Sequence, residues 1–133
     1  MPGWVTGCGS RAAHAFPGSG YDLITALDCL HDMGHPVSAA RHIRQALVGD
    51  GTFLLVEPTA ADDLAGNLNP VGRVYYAFST LLCVPSALAQ EPAVGAGQSG
   101  RGARTRAILT EAGFTRFRRA AQTPFNLVYE APP

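Results

Sequence analysis

YDLITALDCLHDMGHP, residues 21–36, is the stretch on which the reading of this chain turns. Leu23-Ile24-Thr25-Ala26-Leu27 is a short, nearly continuous apolar run, the pattern of a strand buried on both faces of a sheet. Directly after it, Asp28, Cys29, His31 and Asp32 put two carboxylates, a thiol and an imidazole within five positions. In open α/β sheets ligands bind just beyond the C-terminal ends of the strands, so these residues mark a candidate active-site edge. Gly34 and Pro36 close the loop, and Pro36 is placed to start a helix.

Working outward, Val37, Ala40, Ile43, Ala46 and Leu47 recur at three- and four-residue spacing, which predicts an amphipathic helix ended by Gly49 and Gly51. Thr52–Val56, TFLLV, reads as a second buried strand, followed by Glu57-Pro58. Strand, helix, strand implies parallel pairing with a right-handed crossover. Parallel strands share one C-terminal edge, so Glu57 is expected near His31 and Asp32. Residues 62–69 are polar. The run PVGRVYYAFSTLLCVP from Pro70 then predicts a helix apolar on most faces, one that something must cover. A flexible link over 92–102 and a helix over Arg104–Ala112, stopped by Gly113, come next. Phe114–Ala121 and Asn126–Ala131 read as closing antiparallel strands joined across Gln122–Phe125, the first a charged edge strand carrying Arg116, Arg118 and Arg119. Upstream, residues 1–20 hold five glycines and two prolines and allow only a brief element around Arg11–Phe16. They are read as an irregular lead-in.

The whole chain bounds these readings. Its 133 residues make one domain's worth of core. Ten basic against ten acidic residues give no net field to steer it to nucleic acid or an anionic membrane. There is no bilayer-length apolar stretch and no signal-peptide pattern, so a cytoplasmic protein is expected. Cys8, Cys29 and Cys83 are an odd set at irregular spacing, which suits reduced thiols.

Four segments, YDLITALDCLHDMGHP, LVGDGTFLLVEP, NLNPVGRVYYAFSTLLCVPSAL and AGFTRFRRAAQTPFNLVYEA, together resemble the C-terminal half of class I S-adenosylmethionine-dependent methyltransferases. The resemblance covers residues 21–133. It implies a partial Rossmann-like α/β fold, a mixed sheet with strand order 4-5-7-6 in family terms, and an inserted helical cap over 62–91. Leu30-His31-Asp32 is similar to the Leu-His-Asp-Trp segment of small-molecule O-methyltransferases, with Met33 in the place of the tryptophan. By that likeness His31 takes the proton of an acceptor hydroxyl and Glu57, after the next strand, orients it. The residue types agree independently, because a histidine titrating near neutral pH and held by a carboxylate is suited to proton removal. The bland alternative is that His31 and Asp32 cap the following helix. The resemblance further implies S-adenosylmethionine as cofactor, touched by Asp28 and Cys29, and a small-molecule acceptor. Tyr75, Tyr76 and Phe78 are then candidates to line the acceptor pocket, with core packing as their alternative.

In the same family the cofactor is held mainly by a glycine-rich turn after the first strand and an acidic residue after the second. Only 20 residues precede the Tyr21 strand here, fewer than one strand–helix–strand unit of about 30 residues. The first three strands are therefore expected to be missing. Gly7-Cys8-Gly9-Ser10 lacks a preceding strand, and Gly95, Gly97 and Gly100 fit G-x-G-x-x-G outside its strand–helix context, so both read as turns. His31 and His35 are split by Gly34 and precede Pro36, so no metal site is expected of that pair. Two functions compete: a methyltransferase, and a non-catalytic remnant or interaction module self-associating through the open edge of the Tyr21 strand.

Overall fold

The computed structural model describes residues 12–90 and 101–133. Its elements are β1 (Tyr21–Leu27), α1 (Pro36–Ala46), β2 (Leu47–Pro58), α2 (Pro70–Phe78), α3 (Val84–Leu88), α4 (Arg101–Glu111), β3 (Arg118–Gln122) and β4 (Asn126–Ala131). A 3-10 turn over Leu30–Asp32 follows β1, another covers Ala65–Asn67, and a π-helical turn over Ser79–Cys83 joins α2 to α3. The glycine clusters Gly7-Cys8-Gly9 and Gly95–Gly100 lie outside the described residues, as does Cys8.

β1 runs parallel to β2, and β4 is inserted antiparallel between β2 and β3, giving the order β1-β2-β4-β3. This is the expected mixed α/β sheet, 4-5-7-6 in family terms. The C-terminal ends of β1 and β2 lie at one edge, with Leu27 opposite Val56.

Local chemistry explains most boundaries. Pro36 opens α1, and the capping acceptor is Nδ1 of His35, which receives the Ser38 N–H at 3.1 Å. Neither His31 nor Asp32 is the cap residue of α1. Asn69 caps α2 in the same way, accepting from Gly72 N–H at 2.9 Å. α4 ends at Gly113, whose φ of +99° suits glycine, while Phe114 N–H reaches back to Leu109 C=O at 2.9 Å.

Three sequence boundaries need correction. Gly49 and Gly51 do not end α1. The helix stops at Ala46, and β2 begins at Leu47 with backbone already extended. The two glycines instead lie where the β1–β2 register jumps, between Tyr21↔Leu47 and Leu23↔Thr52. A Cβ at Gly51 would stand 2.9 Å from the Tyr21 carbonyl, so the close strand approach requires glycine there. β3 starts at Arg118, not at Phe114, because Phe114 is buried and stacks on Phe53 with ring centroids 5.9 Å apart. The lead-in forms no helix or strand over its described part, yet it is anchored: the Phe16 ring meets His42 edge-on at 4.3 Å, and the Phe16 carbonyl lies 2.8 Å from His42 Nε2.

One core fills the space between the sheet and the pair α1 and α4. Ala40, Ile43, Ile108 and Leu109 meet Phe53, Leu55, Leu127 and Tyr129 there. Side chains alternate along strands, so the intervening residues face the other way. On that opposite face Leu23 is 56 % and Leu27 61 % exposed. β1 is thus buried on one face only, contrary to its two-face sequence pattern. The helix from Pro70 is likewise uncovered along Val74, Phe78, Leu81 and Leu82. No described helix is long and apolar enough to cross a membrane.

Candidate functional site

β1 and β2 end side by side, and the chain past each end supplies the chemistry. Glu57 is the penultimate residue of β2 and only 2 % exposed. Its Oε1 accepts the Leu30 N–H at 3.1 Å, and its Oε2 lies 2.7 Å from His31 Nδ1. One buried carboxylate thereby fixes both the backbone of the 3-10 turn and the plane of the imidazole. With Nδ1 as the donor to Glu57, the lone pair of His31 is on Nε2. Asp32 Oδ1 sits 3.1 Å from that Nε2. The atom is buried and accepts no hydrogen bond from the described residues while Nε2 is unprotonated. The expected grouping of His31, Asp32 and Glu57 is therefore present as a line of carboxylate, imidazole and carboxylate.

The turn bearing these groups is held at both ends. Asp28 adopts a left-handed backbone, φ +49°, and Asn126 of β4 donates its side-chain amide to Asp28 Oδ1 at 3.0 Å. At the far end Gln90 bridges the loop to the end of α3. Its Oε1 accepts from Gly34 N–H at 2.9 Å, and its Nε2 donates to the Asp32 carbonyl at 2.7 Å. Cys29 lies half-buried between the two clamps, and burial first, then the nearby Glu57, Asp32 and Asp28 carboxylates, push its thiol up against a lowering hydrogen bond from the Leu27 backbone. Its role is packing against the core more than nucleophilic chemistry.

The aromatic candidates divide. The Tyr75 hydroxyl donates to the Phe125 carbonyl at 2.8 Å, tying α2 to the β3–β4 turn. Tyr76 is half-buried, and Phe78 is largely exposed. What the insertion does bring to the turn is Cys83, from the π-helical segment. His31 Nε2 or Nδ1, an Asp32 oxygen and Cys83 Sγ lie within 4.8 Å of one another. In sequence, Cys83 and Gln90 read as residues of the cap over 62–91 and Asn126 as the start of the last strand, and no spacing rule pairs them with positions more than 50 residues away. His35, the other half of the histidine pair weighed in the sequence, is occupied as a helix cap. A cavity of about 160 Å³ opens behind the loop, lined by Met33, Gly34, His35, Ser38 and Gln90 among others. It includes none of the catalytic candidates and so is set apart from the acid–base line.

No family model and no curated protein matches the chain. Solved structures do, each at low identity. Human N-acetylserotonin methyltransferase in complex with SAM superposes with a TM-score of 0.64 at 17 % identity over 93 % of this chain and 32 % of its own. PigF with SAH gives 0.61 at 21 % identity over 89 % and 32 %. The mitomycin 7-O-methyltransferase MmcR gives 0.56 at 20 % over 92 % and 33 %. The chain has, in part, the Rossmann-like fold of these methyltransferases and spans about a third of their length.

Proposed function

We propose that this chain carries the acceptor side of an S-adenosylmethionine-dependent methyltransferase acting on a small molecule in the cytoplasm, with His31 as general base. The observation that carries this reading is the Glu57–His31 contact of 2.7 Å, buried at the C-terminal edge of the sheet. Glu57 holds the imidazole by Nδ1 and leaves Nε2 to receive the proton of an acceptor hydroxyl. The acceptor oxygen, freed of its proton at His31, would be the nucleophile for the transfer. Asp32, on the solvent side, stabilises the imidazolium that results. Bound S-adenosylmethionine supplies the electrophilic methyl group. Of the described residues, Asp28 and Cys29 are assigned to touch it, and the exposed Asp28 carboxylate matches the positive charge of that cofactor in sign. Among the described residues none forms a glycine-rich turn between a strand and a helix. Tyr76 and Phe78 are assigned to the acceptor.

Calorimetric titration of the chain with S-adenosylmethionine and with its demethylated product tests the proposal. Saturable heat at millimolar ligand or below supports methyl transfer by this chain. Absence of heat at millimolar ligand overturns it for this chain acting alone.

A further inference from the structure

We propose that His31, Asp32 and Cys83 form a three-ligand site for a divalent metal of the zinc class. The inference does not depend on methyl transfer. It stands on four observations. First, the donors are a nitrogen, a carboxylate oxygen and a sulfur gathered within 4.8 Å from two separate elements. Tetrahedral zinc with bonds of about 2.0–2.3 Å spaces such donors about 3.4–3.6 Å apart. The His31–Asp32 separation is 3.1 Å, so that pair must open by a few tenths of an ångström and the more distant pairs must close, both by side-chain rotation.

Second, Nδ1 of His31 is already engaged by Glu57, 2.7 Å away and buried. This is the carboxylate–histidine support that orients metal-binding imidazoles and strengthens them as ligands. Third, Asp32 Oδ1 is buried, has no hydrogen-bond donor among the described residues, and faces Nε2, which carries a lone pair when the ring proton is on Nδ1. Two acceptors at that distance need a cation between or beside them, either a proton or a metal ion. Fourth, Cys83 closes the π-helical turn Ser79–Cys83, a local departure from α-geometry of the kind that often re-aims side chains at functional sites. Neither Cys83 nor Cys29 is in a disulfide. The rest of the Asp32 side chain is about one-third exposed, so solvent reaches the edge of the site, and a fourth ligand, water or another group, would come from that side.

Binding replaces the Cys83 thiol proton, which passes to solvent, and takes the lone pair of His31 Nε2. The loaded site and a proton-accepting His31 therefore exclude one another. The experiment is titration of the reduced, metal-free full chain with cobalt(II), followed by competition with zinc. The expected result is a sulfur-to-cobalt charge-transfer band in the near ultraviolet with tetrahedral visible bands, both erased by zinc. Cys83→Ser should abolish the charge-transfer band and Cys29→Ser should keep it. Glu57→Gln should weaken cobalt affinity by about 10- to 100-fold, as loss of the supporting hydrogen bond does. No band at millimolar cobalt, or a band that survives in Cys83→Ser, overturns the site. Far-ultraviolet circular dichroism of each variant separates loss of ligation from loss of fold.

Discussion

At His31 two carboxylates converge on one buried imidazole, and the energetic consequence is sharply asymmetric. Removing a partner from a buried pair leaves an uncompensated polar group, at a cost of about 3–5 kcal/mol, while an isosteric neutral replacement retains the packing. His31→Ala and Glu57→Ala should each lower stability by about 3 kcal/mol or more in urea unfolding, and Glu57→Gln by about 1–2 kcal/mol. Asp32→Asn, at the half-buried end of the line, should cost less than either alanine variant. Tyr129 gives a second test. Burial raises its phenol above the ordinary range, ahead of opposing and reinforcing charges from Arg119 and Asp62. A raised folded value means stability that is complete below the unfolded phenol value, about pH 10, and is lost as pH rises beyond it. Tyr129→Phe should remove that share of the alkaline loss, as read from thermal melts across pH 9–11. Residues placed by topology were legible from sequence: His31, Asp32 and Glu57 follow from two parallel strands sharing an edge. Cys83, Gln90 and Asn126 were not, because their places are set by how an insertion and a late strand fold back, which no periodicity encodes.

Among the elements, the helix from Pro70 shows what local pattern does and does not determine. Its start is fixed by chemistry read directly from Asn69-Pro70, cap and first-turn proline. Its course is not uniform. The Thr80 hydroxyl bonds the Tyr76 carbonyl at 2.8 Å, and Pro85 has no N–H to offer the preceding turn, so the segment between them widens into π geometry. Gly72 shows a tighter constraint. A Cβ there would lie 1.9 Å from the Asn67 carbonyl, and Asn67 is itself buried as the hub of the 59–67 loop, holding Ala61 by both its backbone groups. Gly72→Ala should therefore destabilise by at least about 1–3 kcal/mol despite alanine's better helix propensity, whereas Ala77→Gly in the same helix should cost only about 1 kcal/mol. Denaturant midpoints of the two variants check the ordering. β1 and β4 matched their sequence bounds closely, and α1 its start at Pro36, because period and flanking breakers agreed. Gly49 and Gly51 misled because a glycine that permits close strand approach looks, in sequence, like one that stops a helix.

For the whole molecule, the single covered sheet face dominates. Helices α1 and α4 bury one side, while Leu23 and Leu27 on the other stay largely in water and the outer edge of β1 carries no paired strand among the described residues. Asp22 is the one charge along β1, without lysine or proline to discourage pairing. A second copy pairing along that edge is the proposed partner, and light scattering behind size exclusion should show mass rising with concentration. Leu23→Lys should return the chain to monomer. A wild-type monomer at all concentrations would remove the proposal. The clamp between Asn126 and Asp28 has a consequence in time as well as in space. Those residues are 98 positions apart, so the left-handed turn after β1 gains its tie only once β4 has been made and paired. During synthesis β1, α1 and β2 can associate early, with the loop beyond them still unset. The outer latch of the chemistry-bearing edge thus needs the last strand, and any nascent chain halted before Asn126 would hold His31 and Glu57 in a turn without it.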